Sequence, residues 1–211
     1  MNFCILLDEK NDWLRPFATN FLINKGIDPE SHIFTNLENT KEYDFCFVLG
    51  YTKILKKEEV LGSCDYFIVH ESSLPKGKGF APLFWQILEG KRKIDVCLIE
   101  LDFPVDSGRI ALKKELALSG YELYDELREK QASITFDLID EFLSNPLQIE
   151  FKKQIGESSD YRKRNKEDSK LDLDKSIREN FNLLRICNNE EWPAYFETNN
   201  HKYIIKIYKG D

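Results

Sequence analysis

The sequence predicts an α/β protein built on a wound β-sheet. Three observations carry this. Short apolar runs of four to seven residues recur through the first two thirds of the 211-residue chain. Helical patterns separate them, and turn residues bound both.

Taken in order, the apolar opening Met1 to Asp8 supplies a first strand with its core at Phe3 to Leu7. A helix over Trp13 to Asn24 follows, stopped by Gly26 as a C-terminal glycine stops a helix. Strands are then expected at His32 to Thr35, Phe45 to Leu49, Tyr66 to Val69, Asp95 to Leu101 and Ile110 to Leu112. Helices are expected at Lys57 to Leu61, Pro82 to Leu88 and Tyr121 to Leu143. The last places Leu123, Leu127, Ile134, Phe136, Ile139 and Phe142 along one side, the spacing of a helix packed on a sheet.

Asn145 and Pro146 close a main domain, residues 1–146. Residues 147–211 read as a linker arm, polar from 152 to 170, followed by a small subdomain. That subdomain has a helix carrying Ile177, Phe181, Leu183, Leu184 and Ile186, with Asp174 as its N-cap. A hairpin ends it: Ala194 to Glu197, a turn at Thr198 to Asn200, then Tyr203 to Tyr208.

Composition narrows the function. Apolar residues make up 42% and charged residues 32%, values of an ordinary folded chain. A net charge of -7 argues against nucleic acid as a partner, because gripping phosphates takes a basic face. With no long apolar run and no basic flank at the start, no membrane partner is expected and the reading is cytoplasmic. The five cysteines (Cys4, Cys46, Cys64, Cys97, Cys187) form no CxxC pair, so neither a disulfide framework nor a metal site is expected. Leu7, Asp8, Glu9 and Lys10 stand where a dinucleotide fold would carry GxGxxG, which argues against a nicotinamide oxidoreductase.

In open α/β sheets, ligands bind beyond the carboxyl ends of the strands. That directs attention to Gly50 to Leu55, His70 to Gly79 and Asp102 to Gly108. The strand Tyr66 to Val69 delivers His70, an imidazole able to move a proton near neutral pH, whereas His32 and His201 read as local loop residues. Asp106 is expected to face His70 across neighbouring strand ends and orient it. Lys76 and Lys78, separated by Gly77, could meet carboxylates or phosphates.

An ordered set of residues comprises His70, Ser72, Leu74, Pro75, Lys76 and Gly79, then Ala81, Pro82, Trp85 and Gly90, and finally Val105, Asp106, Ser107 and Gly108. Taken together, these resemble the 10-formyltetrahydrofolate-dependent formyltransferases. Val48 to Leu55 looks like the family's pterin loop. Arg162 to Leu173, Ile177 to Arg185 and Trp192 to Tyr195 look like the tail of its sugar-modifying members, so the resemblance spans residues 43–205.

The resemblance implies a Rossmann-like formyltransferase core with a small C-terminal helix plus hairpin subdomain, and 10-formyltetrahydrofolate as formyl donor. It implies catalysis by His70 and Asp106, and a cofactor pocket of Tyr51, Ile54, Leu55, Leu101, Asp102 and Val105. Ser72, Ser73, Lys76 and Lys78 would bind substrate, a nucleotide-activated amino sugar such as UDP-4-amino-4,6-dideoxy-L-AltNAc of pseudaminic acid biosynthesis. A homodimer through the C-terminal part is also implied. Glycinamide ribonucleotide and methionyl-tRNA types, and a non-catalytic folate- or nucleotide-binding relative, are the alternatives; a tRNA-directed member would carry a larger, more basic C-terminal domain.

One position departs from the family. Its catalytic asparagine, two residues before the histidine, is here Ile68. Ser72, Ser73 or a backbone N–H is expected to supply the missing hydrogen-bond donor.

Overall fold

The computed structural model describes residues 2–60, 62 and 64–210; Met1 of the first predicted strand and Leu61 of the helix predicted after Lys57 lie outside the described residues. The strands in chain order are β1 (Phe3–Leu7), β2 (Ile33–Phe34), β3 (Phe45–Leu49), β4 (Asp65–His70), β5 (Lys78–Gly79), β6 (Lys93–Glu100), β7 (Ile110–Ala117), β8 (Asp160–Tyr161), β9 (Ala194–Thr198) and β10 (His201–Ile205). The helices are α1 (Arg15–Asn24), α2 (Pro82–Leu88), α3 (Tyr124–Ser144) and α4 (Ile177–Ile186).

The main sheet runs β2-β1-β3-β4-β6-β7. Its first four strands are parallel, and β6 is antiparallel to both β4 and β7. This is the wound α/β sheet the sequence predicts, with an antiparallel strand added at β6. Strand order reverses at β1, whose neighbours β2 and β3 lie on opposite sides, and such a reversal opens a crevice at the carboxyl ends.

Alternation along the strands gives the sheet two apolar faces. Phe3, Ile5, Leu7, Phe47, Leu49 and Phe67 join one core cluster with residues of α1, α2 and α3. Aromatic rings lock it: Phe67 and Phe142 lie 4.5 Å apart, and Phe21 of α1 stacks on Phe136 of α3 at 5.0 Å. The opposite face, with Cys4, Leu6, Cys46, Val48 and Tyr66, is covered by loop residues such as Leu37, Tyr43, Tyr51 and Leu55. Helices cover one face and loops the other, and a cavity at the carboxyl ends of the strands is lined from both sides. Among the described residues no helix is long and apolar enough to cross a membrane.

Several boundaries differ from expectation. The first predicted helix begins as a 3-10 turn (Asp12–Leu14), because Pro16 suits only the opening positions of α1. It ends as expected: Gly26 has φ +71, and the N–H groups of Gly26 and Ile27 bond the carbonyls of Ile23 and Leu22. The short helix predicted from Lys57 is a single 3-10 turn, Lys57–Glu59.

The cap of α4 is Ser176 rather than Asp174. Its hydroxyl accepts from the Glu179 N–H, and the Glu179 carboxylate accepts from the Ser176 N–H at 2.8 Å. The hairpin turns on Asn199 and Asn200 alone, both with positive φ (49 and 62), so β10 starts at His201 instead of Tyr203.

Candidate functional site

A cavity of about 500 Å³ opens where the chain leaves β1, β3 and β4. Lys10, Asn11 and Trp13 line it after β1, Gly50 to Leu55 after β3, and His70 and Glu71 at the end of β4. Leu101, Val105 and Asp106 come from the loop after β6, and Lys163, Arg164, Asn188 and Trp192 from the C-terminal part.

His70 and Asp106 sit at its floor, each only 5% exposed. Nδ1 of His70 lies 3.6 Å from Oδ1 of Asp106. The other ring nitrogen, Nε2, is 2.8 Å from the Gly77 carbonyl oxygen. A carbonyl can only accept, so Nε2 carries the hydrogen, and in the neutral ring the lone pair is on Nδ1. The nitrogen that can take a proton therefore faces the carboxylate.

The route by which Asp106 arrives differs from expectation. Because β6 runs antiparallel to β4, the two strand ends are not neighbours: Glu100, the last residue of β6, pairs with Phe67, while His70 pairs with Cys97. At about 3.3 Å per residue the loop after β6 must fold back roughly 10 Å to reach His70. Its return is fastened at several points. The Gly79 N–H donates to Asp106 Oδ2 at 2.9 Å, and Gln154 Nε2 donates to the carbonyls of Asp106 and Gly108 at 2.8 and 2.9 Å.

Asp106 has φ +59, a left-handed conformation that Asp tolerates better than most residues. Two glycines permit the close approach. A Cβ on Gly108 would lie 1.8 Å from the Glu100 carbonyl oxygen, and one on Gly79, itself at φ +90, 2.4 Å from that of Tyr161.

The wall after β3 is held by Asp8, which is buried. Its carboxylate accepts from the Thr52 hydroxyl, from the Thr52 N–H at 2.9 Å and from the Lys10 N–H at 2.9 Å. The Thr52 hydroxyl bond holds the Asp8 carboxyl below the usual carboxylate range despite burial. Asn11 adds a bond from Nδ2 to the Gly50 carbonyl at 2.6 Å.

The residues assigned to the cofactor divide. Tyr51, Ile54, Leu55, Leu101 and Val105 line the cavity, but Asp102 does not: it is exposed, its Oδ1 accepting from the Phe103 N–H. None of Ser72, Ser73, Lys76 and Lys78, assigned to substrate, lines the cavity. Ser72 is buried behind the His70 loop with no partner for its hydroxyl among the described residues, and Ser73 and Lys76 are exposed. Lys78 lies in β5, which pairs with β8 of the arm. The segment after Pro75 turns outward to meet the arm, which carries Lys76 and Lys78 away from the cavity. Ile68 does line the cavity, in register with Val48 on β3 and Ile99 on β6, so an apolar wall stands where the family has an amide.

Sequence reasoning missed Gln154, which clamps the floor, Asp8, which holds the loop after β3, and the α3 residues Arg128 and Gln131, which line the cavity. Arg128 and Gln131 are spaced three apart on α3, a signal indistinguishable from a solvated helix face without knowing what packs there.

No protein-family profile matches the chain. It is 32% identical over 180 residues to a methionyl-tRNA formyltransferase of Rickettsia massiliae, covering 83% of this chain and 58% of that protein. The chain belongs to the formyltransferase family. It spans about half the length of the curated relatives it matches. The formyltransferase fold itself recurs in solved structures. A methionyl-tRNA formyltransferase from Clostridium thermocellum superposes with a TM-score of 0.84 at 23% identity, over 100% of this chain and 94% of that one. A sugar N-formyltransferase from Shewanella sp. FDAARGOS_354 gives 0.70 at 18% identity, over 97% of each chain.

Proposed function

We propose that this formyltransferase-family chain is an enzyme that moves the formyl group of 10-formyltetrahydrofolate to the amine of a nucleotide-linked amino sugar, of the 4-amino-4,6-dideoxy type used in pseudaminic acid synthesis. The observation that carries the reaction type is the buried pair His70 and Asp106, with Nδ1 and Oδ1 3.6 Å apart at the cavity floor. An amine must lose a proton as it attacks a formyl carbon. Nδ1 is the group placed to receive that proton, and Asp106 pairs with the imidazolium that results. The same proton is then available to the departing folate nitrogen.

The apolar wall of Val48, Tyr51, Ile68 and Leu101 suits a flat pterin ring, and the loop backbone offers groups for its amide edge. The donor, when bound, supplies an activated one-carbon unit. Residues 1–146 would form the catalytic domain, and 147–211 the arm and subdomain.

A second reading takes the aminoacyl end of methionyl-tRNA as the amine, favoured by the 32% identity to a tRNA-directed relative. Purified protein, 10-formyltetrahydrofolate and two amine panels, 4-amino-4,6-dideoxy sugar nucleotides and charged initiator tRNA, separate the readings. Turnover of the sugar nucleotide alone is expected. Turnover of the tRNA alone would replace the first reading with the second, and turnover of neither would leave a binding module.

A further inference from the structure

The cavity is locally basic in an acidic protein. Its lining carries Lys10, Lys53, Arg128, Lys163 and Arg164 against Glu71 and Asp106, five cationic side chains to two acidic ones, while the whole chain carries -7. Most of the five are flexible surface cations of the kind any protein displays. Arg128 is different.

Its guanidinium lies against three rings, 4.2 Å from the centroid of Trp13, 4.6 Å from Phe84 and 5.0 Å from Tyr124. Nε donates to the Tyr124 hydroxyl at 3.0 Å, and Nη1 donates to Gln131 Oε1 at 2.8 Å. Gln131 is itself anchored, since its Nε2 donates to the Glu71 carboxylate beside His70. Nη2 makes no hydrogen bond among the described residues. Stacking and two bonds thus fix the plane of a guanidinium whose remaining N–H donors are unspent. A cation held in this way loses little freedom when it takes a planar or tetrahedral oxyanion.

A purely structural arginine needs no such position on a cavity wall. Arg164, on the wall contributed by the arm, supplies an independent sign: its Nε is a buried N–H with no hydrogen-bond partner among the described residues. A buried donor left unpaired is costly unless something fills the site.

We propose that Arg128 is the anion anchor of the cavity, receiving a phosphoryl or carboxylate group of the bound ligand on the guanidinium edge that Trp13, Phe84 and Tyr124 leave free. The inference rests on the cavity being the ligand site. It places charge recognition on α3, away from Lys76 and Lys78. The phosphoryl source would be a nucleotide diphosphate; the carboxylate source would be the glutamate tail of a folate.

The test is calorimetric titration of the full chain and its Arg128→Met variant with three probes: inorganic pyrophosphate, 5-formyltetrahydrofolate, and the tail-less 6-methyltetrahydropterin. Arg128→Met should weaken pyrophosphate or 5-formyltetrahydrofolate by about tenfold or more and leave the tail-less pterin unchanged. Whichever anionic probe loses affinity names the source. Equal loss for all three probes, in step with a fall in Tm, would make Arg128 a packing residue and overturn the proposal. Unchanged binding of both anionic probes would do the same. Arg128→Lys keeps the charge but not the stacked fork and should fall between the two; it serves the same comparison should the Met variant not fold. None of these titrations needs turnover, so anion binding at Arg128 without formyl transfer would sink the proposed activity and spare this inference.

Discussion

At the floor of the cavity, every bond that holds His70 and Asp106 uses a main-chain group: the Gly77 carbonyl for the ring, the Gly79 N–H for the aspartate carboxylate, and the aspartate's own carbonyl for the Gln154 side-chain amide. At the mouth, Tyr51 and Ile54 stand on a loop without regular structure, fastened chiefly by the carboxylate of Asp8, with Ile54 75% exposed. Main-chain clamps fix the geometry of a reaction; loop side chains leave the choice of ligand adjustable. Damage to the floor should therefore appear in kcat, and damage to the mouth in KM.

The largest effect belongs to the floor. Asp106→Asn keeps an oxygen able to accept the Gly79 N–H but removes the charge facing Nδ1. Steady-state assays should show kcat lowered about 10²- to 10⁴-fold with KM nearly constant. A matching rise in KM would erase the distinction between floor and mouth.

Next comes the far wall of the mouth, where Ile186 ends α4 and Asn188 and Trp192 follow it. That helix is pinned by Arg185, 1% exposed, whose Nη1 lies 3.6 Å from Glu122 Oε2. Burial alone would raise the Glu122 carboxyl, but N–H donors of Ser119 and Gly120 outweigh it and hold it down at about 2, against an ordinary 4.5. A carboxyl depressed by folding contributes stability above its unfolded pKa and loses it as pH falls toward the folded one. The contribution is at most about 3 kcal/mol, fully present above pH 4.5 and lost progressively toward pH 2. Thermal melts of wild type and Glu122→Gln should thus differ clearly at pH 7 and converge near pH 2. A gap independent of pH would show that the Glu122 charge does not stabilise this wall.

How much of this was legible follows the same division. Phe3–Leu7, Phe45–Leu49 and Pro82–Leu88 were readable to the residue, because each is an apolar run of element length bounded by turn formers. The edge strand β7 was read as Ile110 to Leu112 alone. Beyond Leu112 it carries Lys113, Lys114 and Glu115, charges an edge can leave in water, so the apolar run stops before the strand does.

His70 and Asp106 were readable as a pair through the resemblance; the antiparallel direction of β6 was not, since strand pairing is a long-range property. Flanking glycines made Lys76 and Lys78 look like ligand residues. In the structure Gly77 and Gly79 serve backbone approach to Tyr161 instead. Arg128 gave little local sign, because only Tyr124 of its aromatic neighbours is on α3, one turn before it, while Trp13 and Phe84 come from segments distant in the chain.

Ile68 tests the floor from its apolar side. Ile68→Asn restores the family's amide between Val48 and Ile99. If the floor is otherwise complete, kcat should rise about tenfold, as a donor for the developing oxyanion is gained, while the buried amide lowers Tm by a few degrees. A fall in kcat would mean that another donor already occupies that place.

The smallest effect should come from the mouth, and it is the sharpest check of the contrast. Thr52→Val removes one hydroxyl bond to Asp8 while the Thr52 N–H bond at 2.9 Å and the Lys10 N–H bond stay in place. Losing a hydrogen bond to a charged group in this setting costs about 1–2 kcal/mol, and the loop pays part of it as freedom before ligand arrives. KM for 10-formyltetrahydrofolate should therefore rise roughly three- to tenfold with kcat unchanged. Because Asp8 sits at the end of β1 and touches neither His70 nor Asp106, a drop in kcat here would mean that the loop after β3 helps to align the reacting groups, and the mouth would then belong to the catalytic geometry rather than to ligand choice.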